Sequence, residues 1–167
     1  MSGDMVNKII FFVVVCLVQV LILSHVHLFG VATPFFYVYM LLLFRRGYPQ
    51  WSMMLWCFFM GLVVDMFSNT PGMASFCMTL MAVCQPRLLD LFVPRESGEE
   101  IEPTVKTLGT TKFAWYTTLV TFAYCVCFFT LEMFSFFDIL HWIGCVVGST
   151  LLTVVLIMVI ENVRRGR

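Results

Sequence analysis

Apolar runs long enough to cross a lipid bilayer recur along the whole of this chain, and its ten Lys and Arg residues lie between those runs or near their ends. Inside lipid every backbone N–H and C=O must be satisfied within the protein, which leaves helices or closed barrels as spanning structures. A spanning helix needs about 20 mostly apolar residues, and the runs at 9–29, 31–45, 51–67, 72–93, 113–134 and 137–160 approach or reach that length. The sequence is 60% hydrophobic and 12% charged, against roughly 45 to 50% and about 25% in soluble domains. A water-soluble fold of 167 residues could not hide so much apolar surface. The expected architecture is an all-α membrane protein: one integral domain over residues 1–167, built as a compact bundle of six transmembrane helices. Lys8 before the first run resembles the start of a secretory signal, but Ser24-His-Val-His27 follows where small cleavage-site residues belong. An uncleaved first helix is expected.

The second run is short. Pro34 suits a helix start, yet the 14 residues from Val31 to Phe44 would cover only about 21 Å as a helix, below the roughly 30 Å of hydrocarbon. Local thinning of the bilayer, an end buried by neighbours or a re-entrant path would each resolve the deficit. Basic residues near helix ends are retained in the cytoplasm. Six crossings with both termini inside place all ten basic residues on the inner side. Without the second crossing, Arg45 and Arg46 would lie outside. Tyr48, Trp51 and Trp115 near the inner ends, and Tyr37 and Trp142 near the outer ends, suit interfacial anchoring. Residues 94–112, with Glu96, Glu99, Glu100 and Glu102 among Pro and Gly, form the one substantial polar loop, either a solvated connector or a contact for a cytoplasmic partner.

The most informative cluster is Gly61-Leu-Val-Val-Asp65-Met-Phe-Ser68-Asn69-Thr70-Pro71-Gly72. Gly61, Asp65 and Ser68 are four and three residues apart and share a helix face. A carboxylate at the centre of a membrane helix costs roughly 2.5 to 3.5 kcal/mol, and the seven Leu, Phe and Val residues of this run return about 2 to 4. Asp65 is therefore expected to face the bundle or the outer interface and to bond Ser68, Asn69 or the first amides of the next helix. Two roles stay open: a structural cap for the turn, or a binding or proton-handling site. In the sixth run, Gly144 and Gly148 give the small-xxx-small spacing that permits close helix approach, with Cys145, Ser149 and Thr153 on a similar face. Internal packing and homodimerisation both fit. Ala114, Thr117, Thr118, Thr121 and Cys125, with Ser75, Thr79 and Ala82, read as tight seams or as a substrate path. Glu132 and Asp138 bracket an aromatic turn that would dock a partner or dip into lipid.

The function classes left out are broad. No phosphate-cradling Gly-rich loop, hydrolase triad spacing or H-E-x-x-H motif is present, so no catalytic residues and no cofactor site are expected. His25 and His27 lack further ligands at metal-site spacing. The net charge is zero, and basic residues do not interleave with aromatics on a polar face, which argues against nucleic-acid binding. The seven cysteines lie mostly in apolar runs, where a thiol behaves as a small hydrophobe.

Taken in order, Gln19-Val-Leu-Ile-Leu, His25-Val-His-Leu-Phe-Gly-Val-Ala-Thr-Pro34, the Gly61-to-Gly72 segment and Glu132-Met-Phe-Ser-Phe-Phe resemble the MreD family of rod-shape-determining proteins, in its Bacteroides-group form. The resemblance covers nearly the whole chain. It implies a non-enzymatic scaffold subunit of the cell-elongation machinery in the bacterial inner membrane. Such a subunit would bind MreC and, through it, the MreB filament and the peptidoglycan synthase made of RodA and a penicillin-binding transpeptidase. It also implies a bundle similar to the substrate-binding subunits of energy-coupling-factor vitamin transporters, so a small-molecule-binding transport subunit is the alternative. Gly61, Asp65, Ser68, Asn69, Pro71, Gly72, Glu132, Gly144 and Gly148 are the structural or partner-binding candidates.

Overall fold

The computed structural model describes residues 10, 12–19, 33–68, 70, 72–93, 103–133 and 139–165. His25, His27, Asn69, Pro71, the four glutamates of the polar loop and the turn at 134–138 fall outside the described residues. The described part is all-helical: α1 (12–19), α2 (Val38–Leu42), α3 (Gln50–Ser68), α4 (Met73–Phe92), α5 (Val105–Leu108), α6 (Thr110–Glu132) and α7 (Ile139–Arg165). Three of these, α3, α6 and α7, are long and apolar enough to cross a membrane. The outward row of α7 is apolar. Ile143, Val147, Leu151, Val155 and Val159 recur every four residues and are all exposed, an apolar stripe that suits lipid as solvent.

The second run departs most from expectation. In place of a helix over 31–45, residues 33–37 are extended or turning and only Val38–Leu42 is helical. Residues 34–42 are nonetheless all buried, so this irregular backbone lies inside protein, the condition under which it survives in an apolar setting. Its polar groups are matched by side chains from the surrounding helices. Gln19 of α1 accepts from the Phe36 amide through Oε1 and donates to the Pro34 carbonyl through Nε2, both at 3.0 Å. On α7, the Ser149 hydroxyl accepts from the Thr33 amide at 3.1 Å and the Thr153 hydroxyl from the Phe35 amide at 3.0 Å. The Gln85 amide of α4 reaches the Phe44 carbonyl.

This geometry accounts for the length deficit. Thr33 and Phe35 are two residues apart, while Ser149 and Thr153 are four apart. Two extended residues advance about 6.6 Å and four helical ones about 6 Å, so the strand-like stretch keeps pace with α7 using half as many residues. Of the features weighed from sequence, burial by neighbours is present: residues 34–42 are all buried. Pro34 contributes locally, since a proline disfavours the helical conformation of the residue before it.

Beside this segment, α3 and α4 form the most extensive helix pair, and α6 packs against both α4 and α7. Aromatic rings fill the space around residue 35: Phe35 contacts Tyr37, Tyr124, Phe128 and Phe129 with ring centroids 4.9 to 5.9 Å apart. Tyr37, expected at the outer interface, is fully buried instead and hydrogen-bonded to Tyr124. A phenol can sit in the core once its hydroxyl has a partner. Trp51 and Trp115 are exposed, as interfacial anchors would be.

Part of the polar loop is folded. Within 94–112, Val105–Leu108 forms α5, and Gly109, at φ +81°, turns the chain so that α6 begins at Thr110, three residues before the expected Phe113. The Val105 side chain is buried, and its amide donates to Glu161 of α7. The end of the loop nearest α6 therefore packs on the bundle.

Candidate functional site

The α3–α4 corner gathers the candidate residues. Gly61 and Asp65, one turn apart on α3, both face the first turn of α4. Asp65 is 6% exposed and receives four hydrogen bonds. Its Oδ1 accepts from the Thr70 hydroxyl at 3.0 Å and the Ala74 amide at 2.9 Å, and its Oδ2 from the Ser75 amide at 2.9 Å and the Ser75 hydroxyl at 2.7 Å. A carboxylate carries acceptors only, so four convergent donors match it well. Ala74 and Ser75 hold the second and third positions of α4, whose amides have no partner within the helix. Gly72, the residue before that helix, has no side chain to cap it and adopts the left-handed conformation at φ +82°. Asp65 thus supplies from the neighbouring helix the cap that α4 lacks locally, and its charge complements the helix dipole.

Gly61 sets the distance. A Cβ at this position would lie 2.3 Å from the Ser75 Cα, 2.5 Å from the Ser75 nitrogen and 2.8 Å from the Ala74 carbonyl carbon. All three are backbone atoms, so only glycine lets the two helices come close enough for the carboxylate to reach both amides. The sequence reading foresaw the bond from Asp65 to the start of the next helix. Ser68, expected on the same face, points outward and is exposed; Thr70 supplies the hydroxyl instead. The chain leaves the helix after Ser68, so helical spacing no longer fixes which side chain beyond it returns to Asp65.

Outside this corner an apolar groove of about 690 Å³ runs between α3 and α4. Phe58, Leu62, Met66 and Phe76 form its walls, with Asp65, Ser75 and Thr79 at its floor. The polar atoms of Asp65 and Ser75 are already engaged with each other, and the Thr79 hydroxyl donates to the Ser75 carbonyl at 2.7 Å. The groove therefore offers shape and apolar surface.

The other candidates do not join this cluster. Glu132 is exposed at the end of α6, Gly144 is exposed and Gly148 half-buried. The inward edge of α7 is Cys145, Ser149, Thr153, Ile157 and Glu161. Gly144 therefore leaves the interior of the bundle to its neighbours. Thr117 and Thr121, expected along a seam of α6, are fully buried, and their hydroxyls have no hydrogen-bond partner among the described residues.

Sequence reasoning missed a second set of polar residues. Glu161, 4% exposed, accepts from the Tyr39 hydroxyl at 2.6 Å and the Val105 amide at 3.4 Å. Gln85 donates to the Tyr116 hydroxyl at 3.0 Å, and Gln19 holds residues 34–36. The available signal was the rarity of isolated polar side chains in or beside apolar runs. Among the described residues no three His, Cys, Asp or Glu side chains gather as a metal site, and all seven cysteines are free thiols.

Compared with protein-family models, curated proteins and solved structures, the chain matches none of them.

Proposed function

We propose that this chain is a non-enzymatic scaffold subunit of the bacterial cell-elongation complex. It lies in the inner membrane as a six-crossing bundle with both termini in the cytoplasm, binds MreC, and acts through it on the MreB filament, RodA and a penicillin-binding transpeptidase. The observation that carries this reading is the use made of the Gly61-to-Gly72 segment, which also bears the most specific part of the MreD resemblance. Asp65 spends all four of its bonds on Thr70, Ala74 and Ser75. A residue so engaged serves to hold shape, as a scaffold requires, and the groove beside it presents apolar walls to the membrane.

A vitamin-binding transport subunit, similar in fold to energy-coupling-factor components, would need a closed pocket with several polar groups aimed at its ligand. Asp65, Ser75, Gln19, Gln85 and Glu161 are instead committed to side chains or backbone of the bundle, which favours the scaffold.

Depletion of the chain in a rod-shaped host tests the proposal in cells. Rounded, widened cells that regain rod shape when the wild-type chain is restored are expected. Rods of normal width after complete depletion would contradict it.

A further inference from the structure

Glu161, the only acid in α7, joins three elements of the fold. Its Oε2 accepts from the Tyr39 hydroxyl of α2 at 2.6 Å, and its Oε1 accepts from the Val105 amide of α5 at 3.4 Å. Arg164, three residues further along α7, donates to the same Tyr39 hydroxyl at 3.5 Å. The two bonds to the carboxylate are unequal. A hydroxyl 2.6 Å from a carboxylate oxygen makes a short, charge-assisted bond, whereas 3.4 Å is long for an amide donor.

The single turn of α5 holds its own shape. The Thr104 amide donates to the Thr107 hydroxyl, and that hydroxyl donates to the Thr104 carbonyl, both at 3.0 Å. The Leu108 amide closes onto the Thr104 carbonyl at 3.0 Å and the Gly109 amide onto the Val105 carbonyl at 3.1 Å. Gly109, at φ +81°, joins this turn to α6 in a conformation that residues with a Cβ rarely adopt. The docking onto α6 and α7 is slight by comparison. Residues 103–109 bury only Pro103 and Val105, while Lys106, Thr107 and Gly109 are exposed. A self-contained turn with few buried apolar contacts and a long bond to the bundle belongs to the part of a fold that opens locally.

We propose that residues 103–109 form a releasable strap, with Glu161 as its latch and Tyr39 as the positioning residue that holds the latch in place. Opening about Gly109 parts the Val105 amide from Glu161, while the Tyr39 bond keeps the carboxylate where the amide can return to it. The carboxylate is 4% exposed with the strap down, so the strap controls whether this charge meets solvent. The device goes beyond the scaffold reading and does not depend on it.

Hydrogen exchange of the full-length protein in detergent, read by mass spectrometry, tests the strap. In the wild type the amides of residues 105–109 are expected to exchange well ahead of those at 116–125 in α6. Tyr39→Phe, which leaves α5 untouched, should speed exchange at 105–109 by roughly two- to tenfold, the worth of one hydrogen bond, with 116–125 unchanged. Glu161→Ala should speed it at least as much, and adding Tyr39→Phe to that variant should give no further rise, since Tyr39 acts through the carboxylate. Exchange at 105–109 as slow as at 116–125 in the wild type would overturn the strap. Unchanged exchange at 105–109 in Tyr39→Phe, or a further rise in the double variant, would overturn the latch, and the Tyr39→Phe result stands even if Glu161→Ala does not fold.

Discussion

Asp65→Ala is expected to be among the most damaging single substitutions in this chain, lowering stability by about 3 to 5 kcal/mol. The loss has two parts. The amides of Ala74 and Ser75 and the hydroxyls of Thr70 and Ser75 lose their acceptor, and these donors sit in a corner where water is scarce. The first turn of α4 also loses the side-chain cap that Gly72 cannot supply. Asp65→Asn separates these effects, because the amide keeps one acceptor oxygen but turns an NH₂ group toward donors. It should fall between wild type and Asp65→Ala. Thermal unfolding of the purified variants in detergent, alongside protein level in membranes, measures the series. Wild-type stability of Asp65→Ala would mean that the four hydrogen bonds are incidental.

Gly61→Ala should approach the same loss through sterics alone. The added methyl group would meet the Ser75 Cα at 2.3 Å and the Ser75 nitrogen at 2.5 Å, and backbone cannot rotate aside as a flexible side chain would. The helices must separate by about an ångström or more, at a cost of about 1 to 3 kcal/mol or beyond for overpacking. That separation also draws Asp65 away from the amides it caps. Because both substitutions open one corner, the double variant Gly61→Ala/Asp65→Ala should cost clearly less than the sum of the single losses. Full additivity in a double-mutant cycle would show that the close approach and the carboxylate act independently.

Which parts of this arrangement were legible in the sequence follows from how local the cause is. The α3, α4, α6 and α7 helices are written in long apolar runs, and the Gly61–Asp65 spacing alone puts both residues on one face. The link from Asp65 to the next helix was legible because an unpaired carboxylate in an apolar run must find donors, and a helix start is the nearest supply. Ser68 was misplaced because the return of the chain after the helix depends on the turn, whose geometry spacing does not encode. The irregular path of residues 33–37 was hidden for a different reason. It depends on Gln19, Ser149 and Thr153, which are 15 to 118 residues away from the groups they satisfy, and local pattern carries no trace of such partners. Glu161 shows the same limit: it stands just past an apolar run, and only the fold brings Tyr39 and Val105 to it.

The corner and the proposed function are connected by rigidity. Asp65 and Gly61 fix α3 against α4 at the corner beside the groove walled by Phe58, Leu62, Met66 and Phe76. A groove of that kind gives a membrane partner a preformed surface, so less ordering cost is met on binding.

Affinity purification of the tagged chain from gently solubilised membranes, with mass spectrometry of the proteins and small molecules retained, tests the scaffold assignment most directly. The expected result is MreC in stoichiometric amount, with or without the synthase, and its loss in Asp65→Ala. A tightly held vitamin or an energy-coupling ATPase module, recovered without MreC, would contradict the assignment and make the chain a transport subunit.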